Sequence, residues 1–185
     1  MVSVDAYGQY WRVGIYQGVA VPTTVLTANS PAWNWTPGAS VHYFPRNNAL
    51  IIGGAVSLQY FGPTYAARQQ GMNFEYLGLP ISLCFMRLLL PDPPFRPYYG
   101  ADIGVTWFRY RFFEREIFRE MYSNVGVLAA PNGGIKIEIF EGIDLDLNIR
   151  YQLLLHERFE WESKVFSGYN MIGISLGLNY AIFRQ

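Results

Sequence analysis

The sequence predicts an all-β fold: an eight-stranded antiparallel up-and-down transmembrane β-barrel, a single domain over residues 1–185. Three observations predict it. Apolar and polar residues alternate with a period of two in eight successive segments. Long and short connections alternate between those segments. Aromatic residues on the apolar side fall at two levels. Successive side chains of a strand point to opposite faces, so this alternation gives each strand one apolar and one polar side.

Composition agrees. Charged residues make up 15% of the chain and aromatics 17%, with 14 Tyr and 13 Phe. Soluble domains carry roughly a quarter charged residues. Mean hydropathy is only +0.08, and no run of about eighteen apolar residues exists, which argues against transmembrane helices. A membrane barrel fits, because half of its residues face a polar interior. The formal net charge is zero, so nothing in bulk electrostatics points to nucleic acid. The lone cysteine, Cys84, permits no internal disulfide and reads as a small apolar residue. The start, MVSVDAYG, has no basic segment followed by an apolar core. An outer-membrane barrel is expected to carry such a secretory signal on its precursor.

The first strand runs from Tyr10 to Val21, with Trp11, Val13, Ile15, Val19 and Val21 on one face. Residues 22–34 read as a long loop. The second strand covers Trp35 to Phe44, and Pro45-Arg46-Asn47-Asn48 is a tight turn by composition. The third spans Leu50 to Tyr60, followed by a longer loop from Gly62 to Met72. The fourth, Phe74 to Leu89, contains Pro80, which lacks a ladder donor and predicts a local irregularity. Pro91-Asp92-Pro93-Pro94 is a short turn, and the fifth strand runs from Arg96 to Tyr110. RYRFFEREIFREMYS then reads as a solvated loop, dense in both charge signs. The sixth strand lies within Asn124 to Phe140, and Glu141-Gly142 turns into the seventh. That strand, IDLDLNIRYQL from Ile143 to Leu153, alternates without a break. Its length suits a tilted strand crossing a bilayer. HERFEWESK reads as a polar loop, and the eighth strand, Tyr169 to Phe183, ends the chain.

Long connections thus follow the odd-numbered strands and short ones the even-numbered. Outer-membrane barrels have short periplasmic turns and longer outer loops, so both termini are expected on the periplasmic side. Trp11, Tyr43, Phe85, Tyr99 and Tyr180 lie near the short-turn end, and Trp35, Tyr60, Trp107 and Tyr151 toward the long-loop end. Two aromatic belts around an aliphatic band match a bilayer with its two interfaces. The opposite face, rich in glycine, serine and charge, is too small and polar to fill a soluble core.

The segments VHYFPRNNALIIGGAVSL, YLGLPISLCF, PFRPYYGADIGV and GISLGLNYAIF, in this order, resemble the small outer-membrane β-barrel family typified by the transmembrane domain of OmpA. The resemblance covers nearly the whole chain. It implies location in the outer membrane of a diderm bacterium and insertion by the barrel-assembly machinery. The implied lipid partners are membrane lipids and lipopolysaccharide. The sequence departs from the family at its end, where Ile182 stands in the place of the usual lipid-facing aromatic.

Three groups are candidates for function. Arg12, Asp102, Lys136, Glu138, Asp144, Asp146 and Arg150 are expected to point into the lumen. Buried charges must pair or hydrate, so they read as a salt-bridged plug, with a narrow porin-like ion path as the rival. Arg109, Arg111, Arg115 and Arg119 are candidates for a loop contact with lipid phosphates or an envelope protein, although Glu114, Glu116 and Glu120 nearly balance them, which favours an ordinary solvated loop. His156, with Ser163 nearby in sequence, raises the reading of a lipid A-modifying enzyme. No motif supports it, so no catalytic residue is expected. No cofactor or metal is expected either, since His42 and His156 lack metal-ligand spacing. The role these residues suggest is structural: a scaffold presenting outer loops, with a place in an envelope complex as one form of that role.

Overall fold

A computed structural model of the chain describes residues 10–22, 34–45, 50–62, 72–90, 94–114, 117–161 and 164–184. None of these residues is helical. The strands are β1 (Tyr10–Pro22), β2 (Asn34–Trp35), β3 (Gly38–Phe44), β4 (Leu50–Ser57), β5 (Gln59–Phe61), β6 (Met72–Leu88), β7 (Phe95–Glu114), β8 (Ile117–Phe140), β9 (Ile143–Trp161) and β10 (Lys164–Arg184). β2 continues into β3, and β4 into β5, each pair forming one stave. The result is a closed antiparallel barrel of eight staves. The seam pairs β10 with β1, from Tyr10 opposite Arg184 to Pro22 opposite Met171.

Two staves are interrupted side by side. The break at Thr36-Pro37 is tied to the break at Leu58 by a hydrogen bond from the Leu58 amide to the Pro37 carbonyl, 2.9 Å. Pro80 lies in the neighbouring strand. The β6–β7 ladder passes through Pro80, opposite Thr106, without a shift. On the other side, β4 stops pairing at Val56 and β5 resumes at Gln59. The irregularity predicted at Pro80 thus appears in the stave beside it, while β6 itself stays regular.

Two segments differ from the sequence expectation. RYRFFEREIFREMYS is not a loop: β7 continues to Glu114 and β8 starts at Ile117. HERFEWESK is likewise strand, with β9 reaching Trp161 and β10 starting at Lys164. The reason is a reversal of polarity along the strand. Inside the apolar band, apolar residues face out and polar ones in. Beyond it, Arg109 and Arg111 face out, while Phe108, Tyr110 and Phe112 are buried inside. The period of two persists, with its sense inverted.

The outer wall is a belt of exposed aliphatic side chains, including Ile15, Leu83, Ile103, Leu147, Ile149, Ile174 and Leu176. Their strand neighbours face the axis and are buried or half-buried. On β9, Ile149 is 57% exposed while Asn148 beside it is 8%. Apolar residues outside and polar residues inside make this a membrane-spanning barrel. Bulges interrupt the register at Trp11/Arg12 and at Glu138/Phe140, both near the short-turn end.

Candidate functional site

The barrel interior is layered. At the short-turn end, Tyr10, Phe44, Ile51, Cys84, Met86, Leu88 and Tyr98 form an apolar cluster. The Tyr10 and Phe44 rings stack with centroids 4.7 Å apart. The Arg12 guanidinium lies 5.1 Å from each of the two centroids, within cation–π range. At the long-loop end a second cluster joins Phe61, Tyr76, Phe108, Tyr110, Phe112, Leu154 and Met171. The charged layer lies between them.

Alternation on β7 and β9 aims the charged side chains inward, and small residues leave them room. Asp144 is fully buried and pairs with both Arg12 and Arg96. Arg96 also reaches Glu138 at 3.0 Å. One carboxylate thus holds two guanidiniums, and a second carboxylate helps balance them. Lys136 pairs with Asp146, and its ammonium lies 5.0 Å from the Tyr98 ring centroid. The Tyr98 hydroxyl donates to Asp146 at 2.8 Å and accepts from the Asn148 amide at 2.9 Å. Gly134 stands opposite Tyr98 in the ladder, where a Cβ would strike the tyrosine hydroxyl and the Leu147 carbonyl. Arg150 pairs with Asp102 at 3.0 Å, and Asn132 donates to the same carboxylate at 3.0 Å. Above this layer, Gln59 and Gln152 exchange two amide hydrogen bonds of 2.8 and 3.2 Å. Their strands, β5 and β9, stand opposite each other in the ring, so this pair spans the lumen.

All seven lumen candidates from the sequence, Arg12, Asp102, Lys136, Glu138, Asp144, Asp146 and Arg150, join this network. Arg96, Tyr98, Asn132, Asn148, Gln59 and Gln152 belong to it as well, and the sequence did not single them out. Parity was the available signal. Arg96 and Tyr98 share a strand face with Asp102, and Asn148 and Gln152 share one with Asp144. Among the described residues the interior holds cavities of about 40 and 30 Å³, each with room for a few waters. Both are lined by Tyr16, Asn148, Arg150 and Ser175, where they meet.

The nine belt residues lie on the outer wall. Trp11, Trp35, Tyr60, Phe85, Tyr99, Trp107, Tyr151 and Tyr180 are exposed, while Tyr43 is half-buried. Tyr43 packs beside Trp11 with ring centroids 5.0 Å apart. Phe95 and Phe140 add two exposed aromatics to these nine. Arg109 and Arg111 face outward just beyond Trp107 on β7. Arg115 and the side chain of Arg119 lie outside the described residues. His156 packs against Phe108 with ring centroids 4.6 Å apart, and its Nδ1 lies 2.7 Å from the Glu157 carbonyl oxygen. Ser163 lies outside the described residues.

No protein-family model and no curated protein sequence matches the chain. Solved structures do. Neisserial surface protein A (NspA) is 17% identical, with a TM-score of 0.59 over 95% of this chain and 97% of that one. The attachment invasion locus protein Ail of Yersinia pestis is 10% identical, with a TM-score of 0.55 over 96% of this chain and 99% of the other. A major outer membrane protein of Thermus thermophilus is 8% identical, with a TM-score of 0.62 over 93% and 99%. At these identities the likeness concerns the fold alone, and over nearly its full length this chain has the fold of the small outer-membrane β-barrels.

Proposed function

We propose that the chain is an integral outer-membrane protein with a structural and interactive role and no catalytic one. It spans the membrane as a rigid scaffold and presents its long-loop end, with both termini periplasmic, to partners outside or within the envelope. In this reading it meets lipopolysaccharide in the outer leaflet and the barrel-assembly machinery during insertion.

The observation that supports the reading is the filled lumen. Among the described residues, paired charges, a glutamine bridge and two apolar clusters occupy it, with cavities of about 40 and 30 Å³ between them. An eight-stranded barrel is narrow enough for side chains to fill. The test is single-channel recording in planar bilayers. Wild-type protein is expected to give no discrete steps, and reproducible steps at moderate voltage would overturn the plugged scaffold.

A second reading, a narrow gated ion path, draws on one observation: the two cavities meet at Arg150, which is ion-paired with Asp102. If that pair is the barrier, Arg150→Ala joins the cavities and conductance steps appear in the variant.

A further inference from the structure

The outward arginines Arg109 and Arg111 have no role in the lumen. They stand on β7 just beyond Trp107, where the belt gives way to charge. Tyr60 and Leu77 lie beside Arg109 in the ladder: Tyr60 is opposite Leu77, and Leu77 opposite Arg109. One step farther along, Glu75 is opposite Arg111. Tyr60, Glu75, Tyr76, Leu77, Arg109 and Arg111 enclose a cleft of about 50 Å³ on the outer wall.

Two features mark the cleft as an anion site. Arg109 is half-buried in the wall, and its Nε has no hydrogen-bond partner among the described residues. The same guanidinium lies 5.9 Å from the Trp107 ring centroid, within cation–π range beside the belt. Arg111 faces Glu75 at 3.8 Å with both side chains partly exposed. Such a loose pair contributes little and releases the arginine readily. Among the described residues, Glu75 is the one carboxylate lining the cleft, against two guanidiniums. Aromatic belts mark the headgroup level of a bilayer, and the guanidinium fork matches phosphate oxygens.

We propose that this cleft binds a phosphate group of the glycolipid of the outer leaflet. Arg109 and Arg111 grip the phosphate from the wall of the barrel while the acyl chains lie along the apolar belt below, against Leu79 and Trp107. The proposal rests on the outer-membrane reading above.

The test uses the full chain refolded into phosphatidylcholine vesicles with and without bis-phosphorylated lipid A. Lipid retained after extraction is read by native mass spectrometry, and insertion is checked for every sample by heat-dependent gel migration. Wild type is expected to retain lipid A, and each of Arg109→Gln and Arg111→Gln to weaken retention about tenfold, as loss of one charge-assisted hydrogen bond implies. Arg87→Gln, an outward arginine at the opposite end of the barrel, is expected to retain it like wild type. Equal retention by wild type and both variants would overturn the site. So would equal retention of dephosphorylated lipid A, or displacement by inorganic phosphate at the same concentration. A wild-type chain that inserts into no vesicle would instead overturn the membrane reading itself.

Discussion

Asp144 is the residue on which the lumen network converges. Its side chain is 0% exposed and answers two arginines, Arg12 on β1 and Arg96 on β7, each two staves from its own. Removing one partner of a buried ion pair leaves an uncompensated charge, at a cost of about 3–5 kcal/mol. Asp144→Ala removes the carboxylate that two buried guanidiniums share, leaving Arg96 its pair with Glu138, and is expected to destabilise the barrel by about that much, measured by urea unfolding in detergent micelles. A loss under about 1 kcal/mol would mean that water already serves these arginines. Alternation alone placed Asp144 on the inner face. It could not show which cation answers it, because Arg96 and Arg12 lie 48 and 132 positions away in the chain. Pairing between separate strands depends on register, and register is not written in any one segment. Tyr98 escaped notice for a related reason: its neighbour Tyr99 faces the lipid, and residue type alone does not tell an inward tyrosine from an outward one.

The hairpin of β8 and β9 shows how much a single strand pair reveals. IDLDLNIRYQL was legible as a strand because its outward side is wholly apolar and its inward side wholly polar. Its turn, Glu141-Gly142, was legible too, and Gly142 adopts φ 80° there. A side chain in that left-handed region costs about 1–2 kcal/mol. Gly142→Ala is expected to lower stability by this amount without changing the inner network, as read by denaturant unfolding and by unchanged gel migration of the folded form. The far ends of β7 to β10 were not legible. Dense charge in RYRFFEREIFREMYS suggested solvent on all sides, yet the arginines Arg109 and Arg111 occupy outward positions of a strand whose inward positions are aromatic. A reversal of polarity between two faces looks like the loss of a pattern when only one sense of the pattern is sought.

For the whole molecule, the fold follows from one repeated rule. Eight staves each turn apolar side chains to the bilayer, and closure leaves no edge. Ile103 sits midway between Tyr99 and Trp107 on the outer wall of β7 and is 56% exposed. An arginine near the bilayer midplane of a barrel costs about 2–4 kcal/mol. Ile103→Arg is expected to lose that much unfolding free energy in phosphatidylcholine vesicles and far less in short-chain micelles, which wrap the wall loosely. Equal losses in both would mean that hydrocarbon does not meet this face. Strand number, the order of the staves and the aromatic belts were all readable because each is a local pattern repeated along the chain. The filling of the interior was readable only as a set of charges awaiting partners.

The seam has a consequence for synthesis. Tyr10 finds its partner in Arg184, so the first strand emerges with one edge bare and keeps it bare until β10 is made. Contacts this distant in sequence form slowly, and an open sheet with an apolar face invites aggregation meanwhile. A nascent chain of this kind needs an escort through water, and a chain without β10 would be a ring that cannot shut.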